Sequence, residues 1–124
     1  MELKTTITMN RETVFLEKLA KAYQTYDASV IEDDLADDMH YASFWVFQEL
    51  SSKVEYLDCL KGKLQTMKNT GSIQEFKIVD GERYSKALLI TKINGCDDNE
   101  AGFVVDFNDE GKVEMINLTI PDFF

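Results

Sequence analysis

The sequence predicts an α+β domain in which helices come first and an antiparallel sheet follows. Three observations predict it. Apolar residues recur at three- and four-residue spacing near the start of the chain and again over 53–68. An aromatic run between those two stretches lacks helical spacing. Everything after Ile73 alternates in polarity and is punctuated by turn residues.

The first helix is expected from about Arg11 to Tyr26, with Asn10 as its N-cap. Phe15, Leu19, Ala22, Tyr23 and Tyr26 share one face, while Glu12, Glu17, Lys18 and Lys21 read as solvated. A short second helix follows Asp27 and Ala28. Ser29 and Glu32 have the spacing of a capping box, and Asp33, Asp34, Asp37 and Asp38 end the helix. His40 to Phe47 is aromatic-rich and reads as a strand buried on both faces. Ser52 and Glu55 form a second capping-box pair, which opens a helix over Lys53–Lys68. Its apolar face is read as Val54, Leu57, Leu60, Leu64 and Met67. Gly62 interrupts this helix at a cost of about 1 kcal/mol relative to alanine.

Four strands are expected after that, at Ile73–Asp80, Ser85–Asn94, Ala101–Phe107 and Lys112–Ile120. The loop 95–100 and the connection Asn108-Asp109-Glu110-Gly111 join them as hairpins, with Gly111 free to take positive φ. The order is α-α-β-α-β-β-β-β. With 124 residues and no linker or repeat, residues 1–124 form one domain. Such a chain buries enough surface to need neither metal nor disulfide.

Charge and composition narrow the function classes. A net charge of −10 argues against nucleic acid and anionic membranes as partners, since both need a basic surface. Cys59 and Cys96 lack CxxC spacing and read as free thiols of a reducing compartment. The first twelve residues lack the apolar core of a signal peptide, and there is no run of about 18 apolar residues, so a cytoplasmic protein is expected. No phosphate-binding loop, GxSxG or HExxH motif is present, and one histidine does not make a zinc site. No cofactor or metal is expected. Asp33–Asp38 and Asp97–Glu100 do not match a calcium loop, and read as solvated carboxylates.

The stretch Asp27-Ala-Ser-Val-Ile-Glu-Asp-Asp-Leu-Ala-Asp-Asp38 and the hairpin Phe103-Val-Val-Asp-Phe-Asn-Asp-Glu-Gly-Lys-Val-Glu-Met-Ile116 resemble segments of the nuclear transport factor 2-like superfamily, also called cystatin-like or polyketide-cyclase-like. The resemblance covers Asn10 to Ile120. It implies a cone, in which a curved antiparallel sheet wraps the long first helix and leaves a cavity open at one end. Tyr41, Ser43 and Trp45 would then point inward, under Leu19 and Tyr23 of the first helix, with Phe103 completing the candidate ligand-binding set. The resemblance also places Ser43 where the ketosteroid isomerases of that superfamily carry a catalytic carboxylate, and Leu19 where they carry an oxyanion tyrosine. Neither residue supplies a base or an oxyanion donor, so isomerase chemistry of that type is rejected.

Three readings remain. The first is a module that binds a small apolar or amphipathic molecule in the cone. The second is a protein-interaction module, either a homodimer through the sheet face or an acidic immunity-like partner. The third is a hydratase or dehydratase using His40 oriented by Asp38. His40 has the opposite strand parity to Ser43, which places it at the rim or outer face.

Overall fold

The structure, a computed structural model, describes residues 10–44 and 48–124. Helix α1 spans Arg11–Thr25, and the Asn10 side chain accepts from the backbone N–H groups of Glu12 and Thr13 at 2.8 and 3.2 Å. This satisfies two of the donors that a helix start leaves free. Phe15, Leu16, Leu19, Ala22 and Tyr23 are its buried face. Tyr26 ends it in the left-handed region, at φ 56°. Its hydroxyl donates to the Ser72 carbonyl at 2.7 Å, tying the end of α1 to the segment after the long second-half helix.

Helix α2 is one turn, Ser29–Glu32. Ser29 is its first residue and not its cap. The Asp27 carboxylate accepts from both the Ser29 N–H and the Ser29 hydroxyl, at 3.0 and 2.7 Å, so the capping oxygen comes from two residues earlier. The acidic stretch after α2 is not a helix end. Strand β1 runs Leu35–Ser43 and contains Asp37 and Asp38. Strand β2 (Gln48–Leu50) folds back antiparallel, pairing Tyr41 with Leu50 and Ala42 with Glu49. Helix α3 spans Lys53–Thr70. Its capping box is offset by one residue on the return side: the Ser52 hydroxyl accepts from Glu55 N–H at 3.1 Å, and the Glu55 carboxylate accepts from Ser51 N–H at 3.0 Å.

The remaining strands are β3 (Gln74–Asp80), β4 (Lys86–Ile93), β5 (Cys96–Asp97), β6 (Gly102–Phe107) and β7 (Val113–Thr119). The two-residue β5 lies inside the expected loop and pairs back onto β4. A 3-10 turn at Pro121–Phe123 follows β7. The sheet order is β2-β1-β7-β6-β4-β3, with β5 beside β4. All pairings are antiparallel except β1 with β7, which is parallel, so the sheet is mixed. A parallel pair needs a long crossover, and the chain from α3 through β6 provides it.

The β1–β7 register also shifts. Leu35 faces Val113 and His40 faces Met115, so five steps along β1 match two along β7. The extra residues include Asp37 and Asp38, which bulge out to solvent between buried Ala36 and Met39. Beyond the bulge the strand is not buried on both faces as expected. Met39 and Ser43 are buried, His40 is exposed, and Tyr41 and Ala42 are half-buried. Tyr41 packs on the core that fills the space between sheet and helices. That core is built from the inner faces of α1 and α3, with Leu88, Ile90, Phe103, Val105, Ile116 and Leu118 from the strands.

A second, smaller cluster lies on the other side of the sheet: Ala87, Val104 and Phe124, with Val79, Tyr84 and Leu89 against them. The Phe124 carbonyl accepts from the N–H groups of Arg83 and Tyr84, both at 2.8 Å. A Cβ at Gly102 would stand 2.6 Å from the Phe124 ring and 2.5 Å from the Leu88 carbonyl oxygen, so glycine there lets Phe124 lie flat on the sheet.

Candidate functional site

The site is built where α1, β1 and α3 converge. Tyr23 comes from α1 because it lies one turn after Leu19 on the same face, and both are buried. Its ring lies 5.7 Å from that of Phe76 and 5.5 Å from that of Phe103. Tyr41 comes from β1 and tilts at 40° over Tyr56 of α3, with ring centroids 5.1 Å apart. Such offset aromatic pairs add about 0.5–1.5 kcal/mol beyond area burial. Ser43, two residues along the same strand face, hydrogen-bonds the Tyr41 side chain.

Leu19, Tyr23, Tyr41, Ser43 and Phe103 are thus all buried or half-buried on the inner side of the sheet. Trp45 lies outside the described residues. Leu19 and Phe103 are packed core, at 0% and 1% exposure. His40 and Asp38 are exposed and line a shallow depression with Glu114 and Met115. Strand alternation puts His40 on the face opposite Met39 and Tyr41, so the sheet separates it from the tyrosines.

Tyr56 is absent from the face read from the sequence, which began at Val54. Val54 is 69% exposed, whereas Tyr56 is 3% exposed. At about 100° per residue, Tyr56 falls within roughly 40° of Leu60 and 20° of Met67, while Val54 falls about 120° from Leu60. The rest of the expected face, Leu57, Leu60, Leu64 and Met67, is buried, so the spacing itself points to Tyr56 as its first residue and Val54 is the one member that falls outside it.

The electrostatics of this cluster follow from burial. Desolvation pushes Tyr23 and Tyr56 far above the usual tyrosine range, with Tyr41 adding to the rise of both and Tyr23 to that of Tyr56. Tyr41 is raised by the same cause, partly offset by its bond from Ser43. All three are therefore neutral hydroxyls at ordinary pH. The Tyr56 hydroxyl is fully buried and has no hydrogen-bond partner among the described residues. Gln74, at the start of β3, has a buried Oε1 in the same condition. A buried hydroxyl without a partner costs about 1–3 kcal/mol.

On α3, Tyr56, Cys59 and Lys63 follow one another at three- and four-residue spacing, which makes a single stripe. The Lys63 Nζ stands 5.4 Å from the centroid of the Tyr23 ring. Lys63 is exposed along its surface as a whole, yet its ammonium is desolvated enough to be held below the usual lysine range, with Cys59 acting in the opposite direction. Cys59 and Cys96 are both free and exposed. Among the described residues, no three His, Cys, Asp or Glu side chains converge as a metal site would require. Nor is any helix among them long and apolar enough to cross a membrane.

Comparison with protein-family models gives no match, and comparison with curated proteins gives none either. Solved structures do match. A SnoaL-like protein of unknown function from Burkholderia thailandensis superposes with a TM-score of 0.69 at 16% identity, covering 92% of this chain and 98% of that one. A nuclear transport factor 2-like protein of unknown function from Cytophaga hutchinsonii gives 0.63 at 10% identity, covering 92% and 93%. A protein from Silicibacter pomeroyi with a cystatin-like fold gives 0.59 at 18% identity, covering 85% and 72%. At these identities the likeness is one of architecture, and many activities share it. The helices, the curved mixed sheet and these superpositions together establish that the chain has the cystatin-like, nuclear transport factor 2-like fold.

Proposed function

We propose that this protein binds a small, largely apolar molecule bearing a hydrogen-bond acceptor, held against the Tyr23–Tyr41–Tyr56 cluster, and does not carry out isomerase-type proton abstraction. The observation that carries this reading is the Tyr56 hydroxyl, buried with no partner among the described residues. A ligand oxygen would meet that unmatched donor, and the surrounding rings of Tyr23, Phe76 and Phe103 would cover the ligand's apolar body. Proton abstraction needs a base within reach. The three tyrosines are held neutral and act as donors, Ser43 is engaged with Tyr41, and Leu19 is inert. His40, the only histidine, lies on the opposite face of the sheet.

Calorimetric titration with acetophenone and with ethylbenzene tests this. The two differ by the acceptor oxygen. Acetophenone is expected to bind more tightly, and Tyr56→Phe to weaken it by up to about tenfold, the net value of one hydrogen bond of roughly 1.4 kcal/mol. Ethylbenzene binding should be unchanged by that substitution. Equal loss for both compounds, or no loss for either, overturns the reading.

A second reading concerns the outer face. Phe44, immediately after β1, is 42% exposed, with Ala42 and Asn117 half-buried beside it on paired strands. This favours self-association of two copies through the sheet. Sedimentation velocity at rising concentration tests it. A dimer that Phe44→Asp dissociates supports the reading, and a monomer throughout rejects it.

A further inference from the structure

We infer that the molecule taken by this site is an organic carboxylate, with its anionic end on Lys63 at the rim and its acceptor-bearing body reaching inward to Tyr56. The inference rests on the binding reading above and adds the ligand's charge class.

Three facts carry it. Lys63 lies on the same α3 stripe as Tyr56, seven residues on, with Cys59 between them. Side chains on a helix lean toward its N-terminus, so the lysine reaches back along the stripe in the direction of Tyr56. Its Nζ lies over the Tyr23 ring and has no carboxylate partner among the described residues, where Lys18 pairs with Asp34 and Lys86 with Asp80. The chain carries 23 acidic against 13 basic side chains, so its general field repels anions. A cation packed on an aromatic cluster, with no carboxylate partner among the described residues, is a local attraction for an anion within that repelling field. Desolvation of the ammonium adds to the argument, because a carboxylate delivered by the ligand would compensate it. The aromatic face of Tyr23 supports the cation weakly and leaves its hydrogen-bonding capacity unused.

The test uses three probes and the full chain. 3-Benzoylpropionate has both a ketone and a carboxylate, its methyl ester keeps the ketone without the charge, and 4-phenylbutyrate keeps the charge without the ketone. Calorimetry is expected to show the keto acid binding at least tenfold more tightly than its ester. Lys63→Gln should bring the acid down to the ester's affinity and leave the ester unchanged, and Lys63→Arg should restore most of the preference. Ester and acid binding alike overturns the carboxylate inference and leaves the Tyr56 reading standing. Keto acid and phenylbutyrate binding alike overturns the Tyr56 reading and leaves the carboxylate inference standing. Equal weakening of acid and ester by Lys63→Gln rejects the lysine as anion partner, and failure of all three probes at millimolar concentration rejects both readings.

Discussion

Tyr56 and Tyr41 stack with their ring centroids 5.1 Å apart, yet the Tyr56 hydroxyl accepts nothing from Tyr41 and donates nothing to it. Ser43 is the partner that Tyr41 uses. The aromatic contact is therefore stabilising, and the hydroxyl above it is a local cost. Removing that oxygen while keeping the ring should raise stability. Tyr56→Phe is expected to increase the unfolding free energy by about 1 kcal/mol or more, since an unmet buried polar group costs about 1–3 kcal/mol. Urea denaturation checks it. A variant less stable than the parent would show that the hydroxyl is satisfied in the folded protein. Tyr56→Leu, which discards the ring as well, is expected to be destabilising.

Alkaline pH offers a second test. The folded-state pKa values of Tyr23, Tyr41, Tyr56 and Tyr84 all lie above the ordinary value of 10.0, principally through desolvation. A raised pKa means that the unfolded chain releases these protons first. Stability from this source is complete below about pH 10 and declines as pH rises further. Absorbance at 295 nm, followed with circular dichroism, should show part of the tyrosine ionisation arriving only with unfolding. Smooth ionisation of all five tyrosines well before loss of structure would contradict the burial of Tyr23 and Tyr56.

Gly102 and Phe124 should be coupled. A methyl group at position 102 meets both the Phe124 ring and the Leu88 carbonyl oxygen. Gly102→Ala is expected to cost about 1–3 kcal/mol by overpacking, and Phe124→Ala about 3–5 kcal/mol by loss of a buried aromatic. The double variant should lose less than the sum, because shortening Phe124 removes one of the two obstacles. It should not reach zero coupling cost, since the backbone oxygen remains. Denaturant titration of the four proteins closes the cycle, and strict additivity would place Phe124 away from Gly102.

His40 supplies a control. It is exposed beside Asp38 and Glu114, across the sheet from the tyrosines. His40→Ala should change acetophenone affinity by less than about twofold, which is below 0.5 kcal/mol. A larger loss, with the fold intact by circular dichroism, would bring His40 into the site and revive the hydratase reading.

What could be read from sequence divides along the range of the interactions. Helix α1 was legible to within a residue because its cap and apolar spacing are local: Asn10 reaches only to Thr13, and Phe15 to Tyr23 is two turns. The four later strands were legible for the same reason, since each is bounded by its own turn residues. The start of β1 was not. Asp37 and Asp38 look like the end of a helix, and only pairing with β7 reveals them as a bulge. The parallel sense of that pair is equally invisible, because alternation along one strand carries no direction for its neighbour. In the candidate site, Tyr23 lies on the face that helical spacing gives, while the inward facing of Tyr41 and Ser43 and the inclusion of Phe103 rested on the family resemblance. Tyr56 was missed because the aliphatic Val54 was read as the start of a face that otherwise holds. The contact of Lys63 with Tyr23 was not legible either, because a lysine on a helix reads as solvated until the ring beneath it is placed.

The parallel pairing of β1 with β7 also has a consequence for how the chain reaches this state. Ser43 finds Leu118 about 75 positions away, and among the described residues β1's other neighbour is the three-residue β2. Hairpins β3–β4 and β6–β7 can zip locally, but β1, beyond its short hairpin with β2, must wait for a long loop to close before its main ladder to β7 forms. The slow event in folding is then expected to be the docking of β1 onto a sheet already made, with the tyrosine cluster assembled last, in the same step.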